Sequence, residues 1–80
     1  AIKLYQAMIR RGEDAVFAYE ALAKLYEHQR RDPEQALHYT RQALLLLSEP
    51  GLFRSEAVQE RQIALQYRYA RLRRKLSSAP

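Results

Sequence analysis

Large and small apolar residues alternate at helical spacing across residues 19 to 47, and that alternation restricts the chain to helices packed at close range. The first run is Tyr19, Leu22, Ala23 and Tyr26; the second is Ala36, Tyr39, Ala43 and Leu44. Residues three and four apart share one helix face. A face built on alanine lets a neighbouring backbone approach, while tyrosine and leucine wrap around it. Between the runs stands Arg30-Arg31-Asp32-Pro33-Glu34-Gln35. Asp32 can cap the following helix, and Pro33 suits its first position, where no amide donor is needed. Gln35 completes a capping-box spacing. Two helices folded against each other are therefore expected, over 14–29 and 33–47.

Further helices flank this pair. Ile2, Tyr5 and Ile9 recur at helical spacing, widened by Leu4 and Met8, and Gly12 can end that helix in a left-handed conformation. Glu13 and Asp14 then place acid at the positive end of the next helix dipole. After Leu47, Ser48-Glu49-Pro50-Gly51 is a stop signal. Ser55 is a plausible cap for a fourth helix to Leu76, with Val58, Leu65, Tyr69, Leu72 and Leu76 as its seam. The expectation is an all-α domain over 1–76 of four antiparallel helices, 1–11, 14–29, 33–47 and 55–76, with a frayed tail at 77–80. Its expected core is Tyr5, Ile9, Tyr19, Leu22, Tyr26, Ala36, Tyr39, Ala43, Leu47, Leu65, Tyr69 and Leu72.

Composition agrees. The chain of 80 residues is rich in helix formers and has two glycines and no cysteine. Lack of cysteine excludes a disulfide framework, a thiolate metal site and a cysteine nucleophile. The sequence has no signal peptide and no membrane-length apolar run, so a cytoplasmic chain without a membrane partner is expected. The first residue is alanine and lies in helical pattern already, which reads as a piece of a larger protein. Charge is uneven. Residues 1–40 carry six basic and six acidic side chains, whereas 41–80 carry eight basic and three acidic, so the whole net charge of +5 sits there. From Arg61 to Lys75 there are six cations and no acid. Such a local field attracts phosphates or an acidic surface.

The order and spacing of Tyr19, Leu22, Ala23 and Tyr26, then Ala36, Tyr39, Ala43 and Leu44, resembles a tetratricopeptide repeat, with one extra residue in the turn. The family's proline comes late, as Pro50, and its turn glycine is replaced by the Arg30-Arg31-Asp32 region. One repeat is matched well, and residues 1–11 look like the second helix of a degenerate preceding repeat. Leu65 and Tyr69 echo Leu22 and Tyr26, but later than a period of about 34 residues allows. The resemblance implies a helical hairpin used as an interaction scaffold, flanked by one helix on each side. A narrower likeness lies in Ala21-Leu22-Ala23-Lys24-Leu25-Tyr26-Glu27-His28, in Gln35-Ala36-Leu37-His38-Tyr39 and in Arg68-Tyr69-Ala70-Arg71-Leu72-Arg73-Arg74-Lys75-Leu76. These strings resemble the C-terminal helical region of bacterial YprB-type proteins, which join a ribonuclease-H-like exonuclease domain to a repeat-like tail. That likeness implies an accessory region and carries over no catalytic residue.

Two candidate surfaces fall on the last helix. Ile63, Tyr67 and Ala70 form a second apolar strip away from the main seam, where a terminal surface helix should be polar. The strip reads as a docking face for a protein surface, another domain of the same chain, or a second copy. Its bland reading is a helix buried on two sides. Arg61, Arg68, Arg71 and Lys75 recur at helical spacing, with Arg73 and Arg74 nearby, and could track a phosphate backbone. The bland reading there is a solvated cationic face near a helix C-terminus. Leu45, opposite the small-residue face of the third helix, and Phe17 raise the same choice between a docking face and a second buried side.

The repeat's groove positions would fall on Phe17, Glu20, Lys24, Glu27 and His28, where two acids argue against capture of acidic peptide tails. His28 and His38 lack a third ligand at useful spacing, and Glu34 with His38 reads as a surface pair. The sequence contains no Gly-rich phosphate loop or catalytic motif, so neither a cofactor, a metal nor an independent enzyme is expected. The leading expectation is a non-catalytic docking domain using Ile63, Tyr67 and Ala70. The alternative is a nucleic-acid accessory module using Arg61, Arg68, Arg71, Arg74 and Lys75.

Overall fold

The computed structural model describes residues 2–48 and 55–78. They form four helices, α1 (Ile2–Arg11), α2 (Ala15–His28), α3 (Pro33–Leu47) and α4 (Glu56–Ser77), with no strand among the described residues. The fold is all-α. Helices adjacent in sequence pack on each other, so α1 lies on α2, α2 on α3 and α3 on α4.

Local chemistry sets the boundaries. Gly12 sits at φ 72, and the amides of Gly12 and Glu13 return to the carbonyls of Ile9 and Met8 at 3.1 and 3.0 Å. This closes α1 with a left-handed C-terminal motif. Asp14 occupies the N-cap of α2 without a side-chain cap bond, so it contributes charge alone. At α3 the Asp32 carboxylate accepts the Gln35 amide at 3.2 Å. Only that half of the capping box forms, because the Asp32 amide donates to the Tyr26 carbonyl at 2.8 Å instead. Arg31 takes φ 52, a left-handed conformation that glycine adopts at less cost. Ser55 Oγ accepts the Val58 amide at 3.2 Å and starts α4. Helix α4 runs through Ser77, which the sequence reading assigned to a frayed tail. There the Ser78 amide bonds the Arg74 carbonyl at 3.0 Å and extends the last turn. The stop signal at Glu49-Pro50-Gly51 and the last two residues lie outside the described residues.

The core is small and rests on alanine. Ala18, Leu22 and Ala23 of α2, Ala36, Thr40, Ala43 and Leu47 of α3, and Leu65 and Leu72 of α4 are buried. Thr40 satisfies its hydroxyl within the helix by donating to the Ala36 carbonyl at 2.8 Å. Tyr39 lies between Tyr19 and Tyr26, with ring centroids 6.1 and 5.5 Å away, and so fastens α3 to α2 along its flank.

The expected core needs one correction. Tyr5, Ile9, Tyr19, Tyr26, Tyr39 and Tyr69 are half-buried, not enclosed. A phenol ring suits such a half-buried place, since its ring can pack while its hydroxyl stays solvated. Ile9 lies on α1, which has no buried residue. Ala18, Ala23 and Thr40 take the enclosed places.

Ala43 is fully enclosed in a cluster with Leu47 and Leu65, with Val16, Tyr19, Leu44 and Val58 packed against it. Ala43→Leu is expected to lower unfolding free energy by roughly 1–3 kcal/mol through overpacking. Urea denaturation followed by circular dichroism measures this, and an unchanged midpoint would contradict the close contact.

Candidate docking surface

The inward and outward faces of α4 are chosen by Leu65 and Leu72, both buried, while Val58, Tyr69 and Leu76 border the same seam half-buried. Arg68 falls three residues after Leu65 and four before Leu72, on the same face. Burying a guanidinium there demands an acid, and Glu27 of α2 supplies it. The Glu27 residue is 8 % exposed. Arg71 donates from Nη2 to both carboxylate oxygens at 2.8 Å and from Nε to Oε2 at 3.2 Å. Arg68 donates through Nη1 to Oε1. The cluster ties α4 to α2 across α3.

Burial by itself would raise the Glu27 carboxyl. The hydrogen bonds from Arg71, with the charges of Arg71, Arg68 and His28, outweigh it and hold the group below its ordinary 4.5. The His28 ring stands 3.7 Å from Glu27 Oε1.

This arrangement engages two members of the basic stripe read from the sequence. Arg68 and Arg71 are committed to Glu27, and the Arg68 side chain is only 16 % exposed. Arg61 borders an apolar cleft with Val16, Leu47 and Val58, near the start of α4. Lys75 borders a different cleft with Glu27, His28, Arg31 and Pro33, in the last turn. Arg74 belongs by spacing to the face of Ile63, Tyr67 and Ala70. Arg73 lies over the Tyr69 ring at 5.8 Å. Of the five cations named as a nucleic-acid site, Arg61, Arg74 and Lys75 are exposed and lie outside the Glu27 cluster, while Arg71 is half exposed within it.

The apolar strip has a different standing. Ile63 is 54 % exposed and Tyr67 is 74 % exposed. With Gln66 and Ala70 they line one shallow depression on the outer side of α4. Leu4, Phe17 and Leu45 are exposed as well. Phe17 meets the Tyr5 ring edge-on at 6.1 Å.

Glu27 had been placed among the groove positions. Its burial could have been read from Ala23 one turn earlier and from Arg68 on the Leu65–Leu72 seam. Glu20 and Lys24 pair at 3.6 Å on the exposed surface. The expected Glu34–His38 pair is not among the ion pairs of the described residues. The described residues hold no group of three or more metal-ligating side chains and no helix long and apolar enough to cross a membrane.

No family model matches the chain, and no characterised protein or solved structure is significantly similar to it.

Glu27→Gln leaves two guanidiniums facing a neutral amide. It is expected to cost on the order of 1–3 kcal/mol at neutral pH, less than a fully enclosed pair because Arg71 is half exposed. Because the fold favours the ionised carboxylate, the Glu27 contribution is complete above about 4.5 and is lost as pH falls through the lowered folded-state value. The gap between wild type and variant, measured by urea denaturation across pH, is expected to close below that value. Equal stability of the two proteins at neutral pH would show that the cluster contributes nothing.

Proposed function

We propose that the chain is a tetratricopeptide-like helical domain that works without catalysis, by docking a protein surface through Ile63, Tyr67 and Ala70 of α4. The observation that carries this reading is the exposure of Ile63 and Tyr67 side by side on the outer face of a helix whose inner face is already satisfied by Leu65 and Leu72. Scattered single apolar residues need no explanation, whereas a contiguous strip costs solubility unless it is covered. The order of residues in α2 and α3 supports the repeat-like part of the reading. Likeness to the YprB-type helical region favours service as an accessory to a ribonuclease-H-like enzyme in the cytoplasm.

Nucleic-acid binding is the weaker reading, since the arginines at the centre of the stripe neutralise Glu27. Titrating labelled single- and double-stranded DNA, with fluorescence anisotropy as readout, is expected to show no binding that survives about 0.15 M salt. Binding that persisted there and collapsed in Arg61→Glu/Lys75→Glu would overturn the docking reading in favour of a nucleic-acid module. Both positions are exposed and make no ion pair with Glu27, and circular dichroism checks that the variant is folded.

Tyr67→Ala is expected to leave urea stability within about 0.5 kcal/mol of wild type, since the side chain contributes little to the core. A photo-crosslinking amino acid at position 67 is expected to give a discrete protein adduct. The same group at exposed Arg41 of α3 is the control. Equal, diffuse labelling from the two positions would sink the docking surface.

A further inference from the structure

The strip on α4 continues at both ends in charge. Stepping alternately by three and four residues, the outer face reads Glu60, Ile63, Tyr67, Ala70, Arg74, and all five are exposed. That alternation is the heptad spacing of a helix-pairing seam. Acid stands at its N-terminal end, a cation at its C-terminal end, and the apolar residues lie between. Glu60 and Arg74 are each one heptad from Tyr67.

We propose that this face pairs with the same face of a second copy of the chain, the two α4 helices lying antiparallel about a two-fold axis at Tyr67. The inference rests on the strip being a docking surface and names its occupant. A two-fold at Tyr67 brings Glu60 of each copy opposite Arg74 of the other, so the charges are satisfied twice over. It sets Ile63 against the small Ala70, which lets the helices approach, and Tyr67 against Tyr67. Parallel pairing would stack Glu60 on Glu60 and Arg74 on Arg74, and like charges across an interface oppose association. Neither side chain is spent in an ion pair among the described residues, whose pairs use Glu20, Lys24, Glu27, His28, Arg68 and Arg71. An isologous contact also needs no second surface, because one self-complementary patch closes it.

The patch is smaller than a standard interface, so a dissociation constant on the order of 10 µM is expected. Sedimentation equilibrium of the 80-residue chain, over a range bracketing that value, tests the pairing. A monomer–dimer equilibrium is expected. Glu60→Arg and Arg74→Glu should each weaken the dimer about tenfold, because each places like charges at two symmetric points. The double variant Glu60→Arg/Arg74→Glu should restore it to within about threefold of wild type, the oppositions having been exchanged. Circular dichroism should show all three variants folded, as both positions are exposed.

A wild type that stays monomeric overturns self-pairing. The docking surface itself would still stand if the crosslinker at position 67 captured a different polypeptide. A dimer insensitive to Tyr67→Ala and to both swaps lies elsewhere and overturns the proposal. Single-swap losses without rescue in the double variant overturn the antiparallel register.

Discussion

Helices pack closely only where their enclosed side chains are small, and α2 and α3, which pack on each other, bury mainly alanine. Ala18 and Ala23 of α2 and Ala36 and Ala43 of α3 are fully enclosed. Alanine loses no rotamer freedom on burial and favours helix, so the contact costs little entropy. It buries little apolar area as well, and large residues must supply the rest. Leu22, Leu47, Leu65 and Leu72 do so, each worth about 1.5–3 kcal/mol when fully buried. Tyr19, Tyr26 and Tyr39 line the margin of the contact, where a ring can pack and a hydroxyl can stay wet. In so small a core the position of each alanine matters as much as the bulk of each leucine.

The Glu27 cluster acts on a different property, the orientation of α4. An apolar seam alone tolerates some rotation of a helix about its axis. A buried carboxylate answered by two guanidiniums does not, since turning α4 would leave charge unpaired away from water. With Leu65 and Leu72 turned inward and Arg68 held to Glu27, the face carrying Ile63, Tyr67 and Arg74 points to solvent. The ion cluster and the exposed strip are two consequences of one rotational setting. The same setting offsets one of the positive charges that the basic run would otherwise present, since a single carboxylate answers two guanidiniums.

Much of the fold was legible in the residues. Pro33 after Asp32, Ser55 before Glu56 and Gly12 after Arg11 mark helix ends through bonds made within a few positions, and the observed ends agree to within one residue or so. The exposed strip was legible too, because Ile63, Tyr67 and Ala70 violate the polarity expected of an outer face. The pairing of charge was not legible. Arg61, Arg68, Arg71 and Lys75 share a helical face by spacing, and spacing alone cannot say which of them meets an acid. The tyrosines were overestimated as core for a related reason, since periodicity reports the face a side chain lies on and not the depth of protein above it.

The sequence by itself determined the number of helices, their caps and their small-residue faces, because those depend on neighbours a few residues apart. Only the tertiary structure decided the fate of the charges. Glu27 lies 41 and 44 positions from Arg68 and Arg71, and no local rule pairs residues at that distance. Their meeting depends on α3 setting α4 beside α2, a packing outcome of side-chain volume. Once it is made, desolvation makes the pairing obligatory and fixes which face of α4 is left to solvent.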